Sequence, residues 1–160
     1  MLNSWSDEVT AALAPAGRTL VVTLGNSLRA DDGVGPFVAG LVKFKNPALR
    51  LIDAGTTPEN IARDVINFKP EKIILIDAAR FGAAPGELAV IPLDKINQYT
   101  VLSTHSFPLG VTFSIIKRDT GAELAVIGVE PKSLDYVEGL CPEVKDSALK
   151  LAEYFNSIGG

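Results

Sequence analysis

Residues 21–36 read VVTLGNSLRADDGVGP, a sequence that predicts the end of a strand, a tight turn and the start of a helix. Gly25 and Asn26 suit the exit from the strand, because both tolerate backbone angles that bulkier residues avoid. Either Asp31 or Asp32 can cap the helix that follows. One carboxylate is enough for a cap, so the second acid at the mouth of a strand indicates a function.

The helix after this turn is predicted by a stripe of apolar residues. Pro36 suits a first helical turn, where no backbone N–H is needed. The apolar positions then recur at helical spacing, at Val34, Phe37, Val38, Leu41 and Val42. Another helix is predicted to begin with Thr57 as cap and Pro58 in its first turn, and to direct inward Ile61, Val65 and Ile66.

Apolar runs elsewhere predict the strands of one sheet. These runs cover residues 19–24, 49–52, 72–77, 88–91 and 124–129. The fourth is expected at an edge, because Pro92 follows it. Two more helices are predicted, one starting within residues 104–109 and a closing one through Val144, Ala148, Leu151 and Phe155. Strands that alternate with helices indicate a mostly parallel sheet covered on both faces, with residues 72–76 near its centre.

Composition narrows the class of protein. The 160 residues predict one domain, and 47% hydrophobic residues favour a sheet that is buried on both faces. A net charge of −4 argues against nucleic acid as a partner. The single cysteine, Cys141, excludes an internal disulfide and is compatible with the cytoplasm. No apolar run approaches the roughly 18 residues that a membrane span needs.

The first 17 residues are interpreted as an N-terminal appendage to an α/β domain that covers residues 18–160. Val9, Ala12 and Leu13 could line a short helix, which Pro15 and Gly17 would end. The segment holds few residues able to build a core. We therefore expect residues 1–17 to be dispensable for chemistry.

Six polar residues follow, or end, the predicted strands. In parallel sheets the ligand site lies outside the carboxyl ends of the strands. That rule places on one edge of the sheet Asn26, Asp31, Asp32, Asp53, Asp77 and Glu130. Acids gathered on the rim of an apolar domain repel one another, so a cation or a proton is expected there.

A metal site built from Asp32, Asp77 and His105 is the first chemical hypothesis. His105 is the only histidine, and one imidazole with two carboxylates suits a divalent ion such as nickel, zinc or manganese. Three protein ligands would leave an open coordination position for chemistry. The alternative is that both acids cap local turns and that His105 is an ordinary surface residue. The spacing in the sequence is compatible with both.

Other chemistries find less support. Neither a dinucleotide-binding glycine motif nor a P-loop is present, and two acids at the first turn would repel a phosphate. Cys141 lies beside Pro142 with no histidine near it in sequence, so a cysteine at a helix start is favoured over a nucleophile. No Gly-x-Ser-x-Gly motif indicates a serine hydrolase.

Six blocks of sequence, in their order and spacing, resemble the NiFe-hydrogenase maturation endopeptidases. The likeness is greatest to the branch that processes the large subunit of formate-hydrogenlyase-type, hydrogenase-3-like enzymes. The blocks are GNSLRADDGVG at 25–35, DAGTTPEN at 53–60, IDAA at 76–79, PGEL at 85–88, THSFPL at 104–109 and IGVEP at 127–131.

This resemblance implies a three-layer α/β/α sandwich with a mostly parallel, twisted sheet. It implies an endopeptidase that removes the C-terminal extension of the hydrogenase large-subunit precursor once nickel has been inserted. The metal-contacting positions of the family match Asp32, Asp77 and His105, which would engage nickel supplied by the precursor. The substrate cleft would be lined by Asn26, Asp31, Asp53, Gly55 and Thr56.

Two other functions remain compatible with the sequence. One is a non-catalytic module of the same fold that senses or carries nickel. The other is a peptidase of related fold that cleaves a different protein.

Overall fold

The computed structural model describes residues 4–100 and 109–160, which form five strands and six α-helices. The strands are β1 Thr19–Leu24, β2 Leu49–Gly55, β3 Lys72–Ala78, β4 Leu88–Val90 and β5 Glu123–Val129. The helices are α1 Asp7–Leu13, α2 Val34–Leu41, α3 Ala62–Phe68, α4 Ile96–Tyr99, α5 Leu109–Thr120 and α6 Pro142–Gly159. Short 3₁₀ turns occupy Ala30–Gly33, Pro58–Ile61 and Leu93–Lys95.

The strands form one sheet in the order β2-β1-β3-β5-β4. All neighbours are parallel except β4, which pairs antiparallel with β5 at one edge. The predicted, mostly parallel sheet is therefore confirmed, and so is the central place of β3. Every residue of β3 is buried, which explains why its sequence reads as a continuous apolar run.

Helices cover both faces of the sheet and give three layers. Along β3, Ile73 and Leu75 pack on the side of α3, α4 and α5, whereas Ile74 and Ile76 pack on the side of α1, α2 and α6. Alternate residues of a strand point to opposite faces, so one strand supplies both halves of the core. The three-layer α/β/α sandwich is confirmed.

Two residues that were expected to face the core are exposed instead. Leu41 is the last residue of α2, and the chain becomes extended at Val42, so its side chain lies beyond the packed part of the helix. Ile66 is exposed because α3 packs through Val65 and Phe68. The buried residues Ile61, Val65 and Phe68 follow the i, i+4, i+7 spacing of a helical face, and Ile66 lies off that face.

Helix boundaries also differ from the prediction in two places. Thr57 precedes a 3₁₀ turn rather than an α-helix, and its side chain makes no capping hydrogen bond to that turn. A short segment, Leu93–Lys95 followed by α4, was not predicted. The predicted helix start within residues 104–109 lies outside the described residues up to position 108, and α5 is described from Leu109.

The short helix predicted within the first 17 residues is confirmed as α1, and it packs into the core, while the dispensability of this segment for chemistry stays a prediction. Val9 and Leu13 of α1 are buried in the same cluster as α2 and α6. The Tyr154 hydroxyl donates to the Leu13 carbonyl at 3.1 Å. The buried Lys72 ammonium donates to the Ala14 carbonyl at 2.6 Å, where a cation suits the negative end of a helix. Only two inward positions mark this short helix, so its sequence periodicity is weak.

No helix within residues 4–100 and 109–160 combines the length and the apolar character that crossing a bilayer requires.

Replacing Leu13 with alanine is expected to lower the free energy of unfolding by about 2–5 kcal/mol, because the side chain is fully buried. Urea unfolding measures the change. Ile66→Ala is the matched control, since Ile66 is exposed on α3 and should shift stability by only about 0.5 kcal/mol. Equal effects for the two variants would show that α1 does not belong to the cooperative core.

Candidate functional site

The site lies where the sheet changes its winding direction. The chain leaves β1 for β2 on one side and then returns to β3 on the other side of β1. Between the carboxyl ends of β1 and β3 the following segments diverge, and this divergence opens a crevice for ligands. Asp32 follows β1, and Asp77 lies near the carboxyl end of β3.

The turn after β1 packs tightly because glycine occupies its first position. Gly25 has a φ of 139°, and a Cβ there would collide with the backbone carbonyl of Asp32. The Asn26 N–H donates to Asp32 Oδ2 at 3.1 Å. The turn is therefore folded over the Asp32 carboxylate and fixes one of its two oxygens.

Neither acid of the turn caps α2, so the capping prediction is wrong. A 3₁₀ turn, Ala30–Gly33, comes before the helix, and the cap position is taken by Gly33, which makes no side-chain capping bond. The inserted turn moves Asp31 and Asp32 away from the first N–H groups of α2. Their carboxylates are free to serve two other purposes.

Asp31 braces a distant loop. Its Oδ2 accepts hydrogen bonds from the N–H groups of Lys132 at 2.8 Å and Ser133 at 3.1 Å, and its Oδ1 accepts from the Cys141 N–H at 2.8 Å. Burial disfavours the charged form, but the backbone donors, Cys141 first, outweigh it and lower the pKa of Asp31. Asp31 is thus a structural anion, fully supplied with donors.

Asp32 and Asp77 form a buried acid pair that lacks such donors. Asp77 Oδ1 accepts from the Ala78 N–H at 2.8 Å, but Asp77 Oδ2 and Asp32 Oδ1 have no hydrogen-bond partner among the described residues. Burial, followed by the charge of Asp32, raises the pKa of Asp77 well above its usual value. Burial also raises the pKa of Asp32, against the Asn26 N–H and the Arg29 charge.

Such an arrangement favours a cation or a shared proton. A buried carboxylate oxygen without a donor costs free energy, and two neighbouring carboxylates cannot both ionise freely. A divalent ion would meet two hard oxygen ligands at this point. His105 lies outside the described residues, and within the described part of the chain no cluster of three histidine, cysteine or acidic residues could hold a metal.

The other residues predicted for the cleft lie around the turn and the end of β2. Asp53 is exposed, and its Oδ1 accepts from the Thr23 hydroxyl at 3.0 Å and the Gly55 N–H at 3.1 Å. Gly55 in turn accepts from the Gly25 N–H at 2.9 Å, while Thr56 is exposed. Asp53 thus ties the ends of β1 and β2 together, and the cleft assignment of these residues stays a prediction.

Glu130 is structural. It is buried after β5, and its Oε1 accepts from the N–H groups of Phe81 and Ala83 at 2.9 Å each, which anchors the loop that follows β3. Cys141 directly precedes α6, as expected for a cysteine at a helix start.

Arg29 and the loop of residues 132–141 were missed by the sequence analysis. The Arg29 charge favours the ionised form of Asp32. Its Nε donates to the Leu134 carbonyl at 3.3 Å, and its guanidinium lies 5.0 Å from the centre of the Tyr136 ring. The only signal in the sequence was a cation three positions before Asp32.

Fold and site together define an α/β protein with a pair of buried acids, a candidate ligand site, at the switch point of its sheet. Comparison with known proteins gives this class a name. The family model HycI, described as hydrogenase maturation protease, matches residues 39–157, and the chain belongs to this family. The predicted resemblance is confirmed, and the protein is a peptidase.

Individual relatives agree with this assignment. The hydrogenase 3 maturation protease of Escherichia coli K12 is 29% identical over 129 residues, which is 80% of this chain and 82% of that protein. The crystal structure of a NiFe-hydrogenase maturation protease HycI from Thermococcus kodakarensis KOD1 matches with a TM-score of 0.80 and 31% identity, covering 94% and 97% of the two chains. The solution structure of the Escherichia coli endopeptidase HycI gives 0.74 and 26%, covering 89% and 91%.

Asp77→Asn is expected to become progressively more stabilising as pH rises above the usual aspartate pKa of 3.8. The folded pKa of Asp77 lies well above that value, so between the two pKa values the folded protein retains a proton that the unfolded chain releases. In the wild-type protein the contribution of the Asp77 carboxyl group to the free energy of unfolding therefore falls as pH rises. Asparagine does not titrate, so the variant lacks this decrease.

Urea unfolding of both proteins across this pH range measures the difference. Asp64→Asn is the control, because it makes the same substitution at an exposed position on α3. A flat difference for Asp77→Asn would contradict the buried, repelled state of this carboxyl group.

Proposed function

We propose that this protein removes the C-terminal extension of a NiFe-hydrogenase large-subunit precursor after nickel insertion. In this proposal Asp32, Asp77 and His105 engage the nickel of the precursor. The observation that carries it is the buried pair of Asp32 and Asp77 in a member of the hydrogenase maturation protease family, each with one oxygen that has no hydrogen-bond partner among residues 4–100 and 109–160.

The chemistry of the acid pair supports a metal that arrives with the substrate. Burial disfavours the charged form of both carboxylates, and the charge of Asp32 further disfavours that of Asp77, so a divalent cation that they can ligate would lower the free energy of both charged forms. Two oxygens and the proposed His105 nitrogen would fill only part of a coordination shell. The rest would remain with the precursor, where we expect softer cysteine thiolates to hold the nickel.

Peptide hydrolysis requires that water adds to the scissile carbonyl carbon, that a proton leaves this water, and that the amine leaving group gains one. Two chemistries fit the site. A metal polarises the carbonyl group, or an aspartate with a raised pKa accepts the proton from water and returns it to the amine. In both cases the same two acids are essential.

The proposal also names a cellular compartment and a binding partner. We propose the cytoplasm as the compartment in which processing occurs, with which the single cysteine is compatible. The proposed partner is the nickel-loaded precursor, with no role for nucleic acid.

Incubation of a purified nickel-loaded large-subunit precursor with the wild-type protein is expected to shorten the precursor, as read by mass spectrometry. Asp32→Ala and Asp77→Ala should abolish cleavage, because each removes a ligand or base. Asp31→Asn is the matched control. We expect this variant to retain measurable cleavage, because Asp31, the neighbour of Asp32, accepts hydrogen bonds from the loop of residues 132–141 and does not serve the crevice.

The opposite result for Asp31 and Asp32 would mean that their roles are exchanged. A precursor that binds but keeps its full length would instead identify a nickel sensor or carrier. Nickel-independent cleavage of an unrelated protein would identify a peptidase with another substrate.

The isolated protein is expected to bind nickel or zinc weakly and reversibly, since three ligands of this kind compete poorly with thiolates. Affinity should fall as pH drops, because protons compete for the carboxylates and the imidazole. His105→Ala should weaken binding with little loss of stability. Titration calorimetry measures these affinities, and a site that chelators cannot empty would contradict the proposal in favour of a resident metal.

A further inference from the structure

An apolar surface stands at the rim of the crevice. The three most exposed large apolar side chains of the described residues are Tyr136 at 82%, Val137 at 57% and Leu28 at 56%. Leu28 belongs to the turn that carries Asp32, and the other two belong to the loop of residues 132–141. We call Leu28, Tyr136 and Val137 the rim surface.

Backbone hydrogen bonds hold this surface against the turn. The Ala30 N–H donates to the Val137 carbonyl at 2.7 Å, and the Asp31 N–H donates to the Ser133 carbonyl at 3.1 Å. Ala30 has a φ of 46°, a left-handed conformation that side-chain-bearing residues rarely adopt. A conformation of this kind persists where surrounding contacts enforce it, so the backbone of the turn and that of the loop are held together.

A cavity of about 490 Å³ adjoins the rim surface on the side of α2. Ala30, Pro36, Phe37 and Leu140 contribute apolar walls, and the Lys145 side chain also lines it. Within residues 4–100 and 109–160, Lys145 forms none of the ion pairs. The cavity therefore suits an apolar side chain accompanied by a carboxylate.

We propose that the rim surface and this cavity bind the polypeptide of the large-subunit precursor beside its scissile bond. An apolar side chain of the precursor occupies the cavity, and a neighbouring carboxylate pairs with Lys145. This inference rests on the proposed function and names the recognition surface of the same site. It adds determinants of affinity that lie outside the acid pair.

The position of the surface favours the substrate over other occupants. Gly33, which also lines the cavity, is the residue after Asp32, so the cavity and the acid pair share one turn. A protein substrate must cover this edge of the sheet to bring a peptide bond to Asp32. The loop also carries Asp135 and Glu138, but neither of them lines the cavity. Lys145 is the charged residue among those that line it.

Steady-state processing of the nickel-loaded precursor tests the inference. The double variant Tyr136→Ala/Val137→Ala is expected to raise KM about 10-fold, with kcat within about 2-fold of wild type, since the lost contacts serve binding rather than the transition state. Lys145→Glu should raise KM, most strongly at low salt, whereas Lys145→Arg should retain the wild-type value. Leu149→Ala is the control, because Leu149 is 45% exposed on α6.

The outcomes separate the inference from the proposed function. Wild-type cleavage with an unchanged KM for the variants, or an equal change for Leu149→Ala, overturns the inference alone. Absence of wild-type cleavage overturns the proposed function, and calorimetric titration of the same precursor into each variant still reports whether the rim surface binds it. Urea unfolding verifies that the variants fold. A wild-type dimer that Tyr136→Ala dissociates, detected by light scattering, would assign the surface to a second copy and overturn the inference.

Discussion

Repulsion between two buried carboxylates governs the functional edge of this molecule. Asp32 and Asp77 are held together by rigid elements, one by a turn folded over its carboxylate and the other by the central strand of the sheet. Neither can move away to relieve the repulsion, because burial and parallel pairing fix β3 on both sides. The surrounding fold supplies the free energy that keeps the pair in place, and an arriving cation or proton recovers part of it.

Asp31 and Asp32 are adjacent and chemically alike, but they have different roles because different numbers of hydrogen-bond donors surround them. Asp31 receives three backbone N–H groups and becomes a permanent anion that fastens a loop. Asp32 receives one and keeps a free oxygen. The same turn therefore contains both the support for a recognition loop and the group that meets the substrate. Arg29 connects these functions, since it contacts the loop and also stabilises the charge of Asp32.

Patterns local in sequence predicted the fold well. The apolar run through Ile73, Ile74 and Leu75 is buried as expected, because continuous burial needs no information from distant residues. Whether a residue at a helix end faces the core was harder to predict, because this depends on where the helix stops. Leu41, the last residue of α2, is an example. One structural and one functional acid were expected at this turn, but the loop that Asp31 braces could not be predicted. The partners of Asp31 lie more than 100 positions away, and no local pattern encodes such hydrogen bonds.

The hydrogen bond from Tyr154 to the Leu13 carbonyl joins positions 141 apart in the chain. During synthesis α1 leaves the ribosome well before its packing partners on α6. Lys72, which donates to the carbonyl at the end of α1, follows between them. The contacts of α1 with α6 can therefore form only after α6 has been synthesised. Contacts of such long range slow folding, because the loop between their ends must close first.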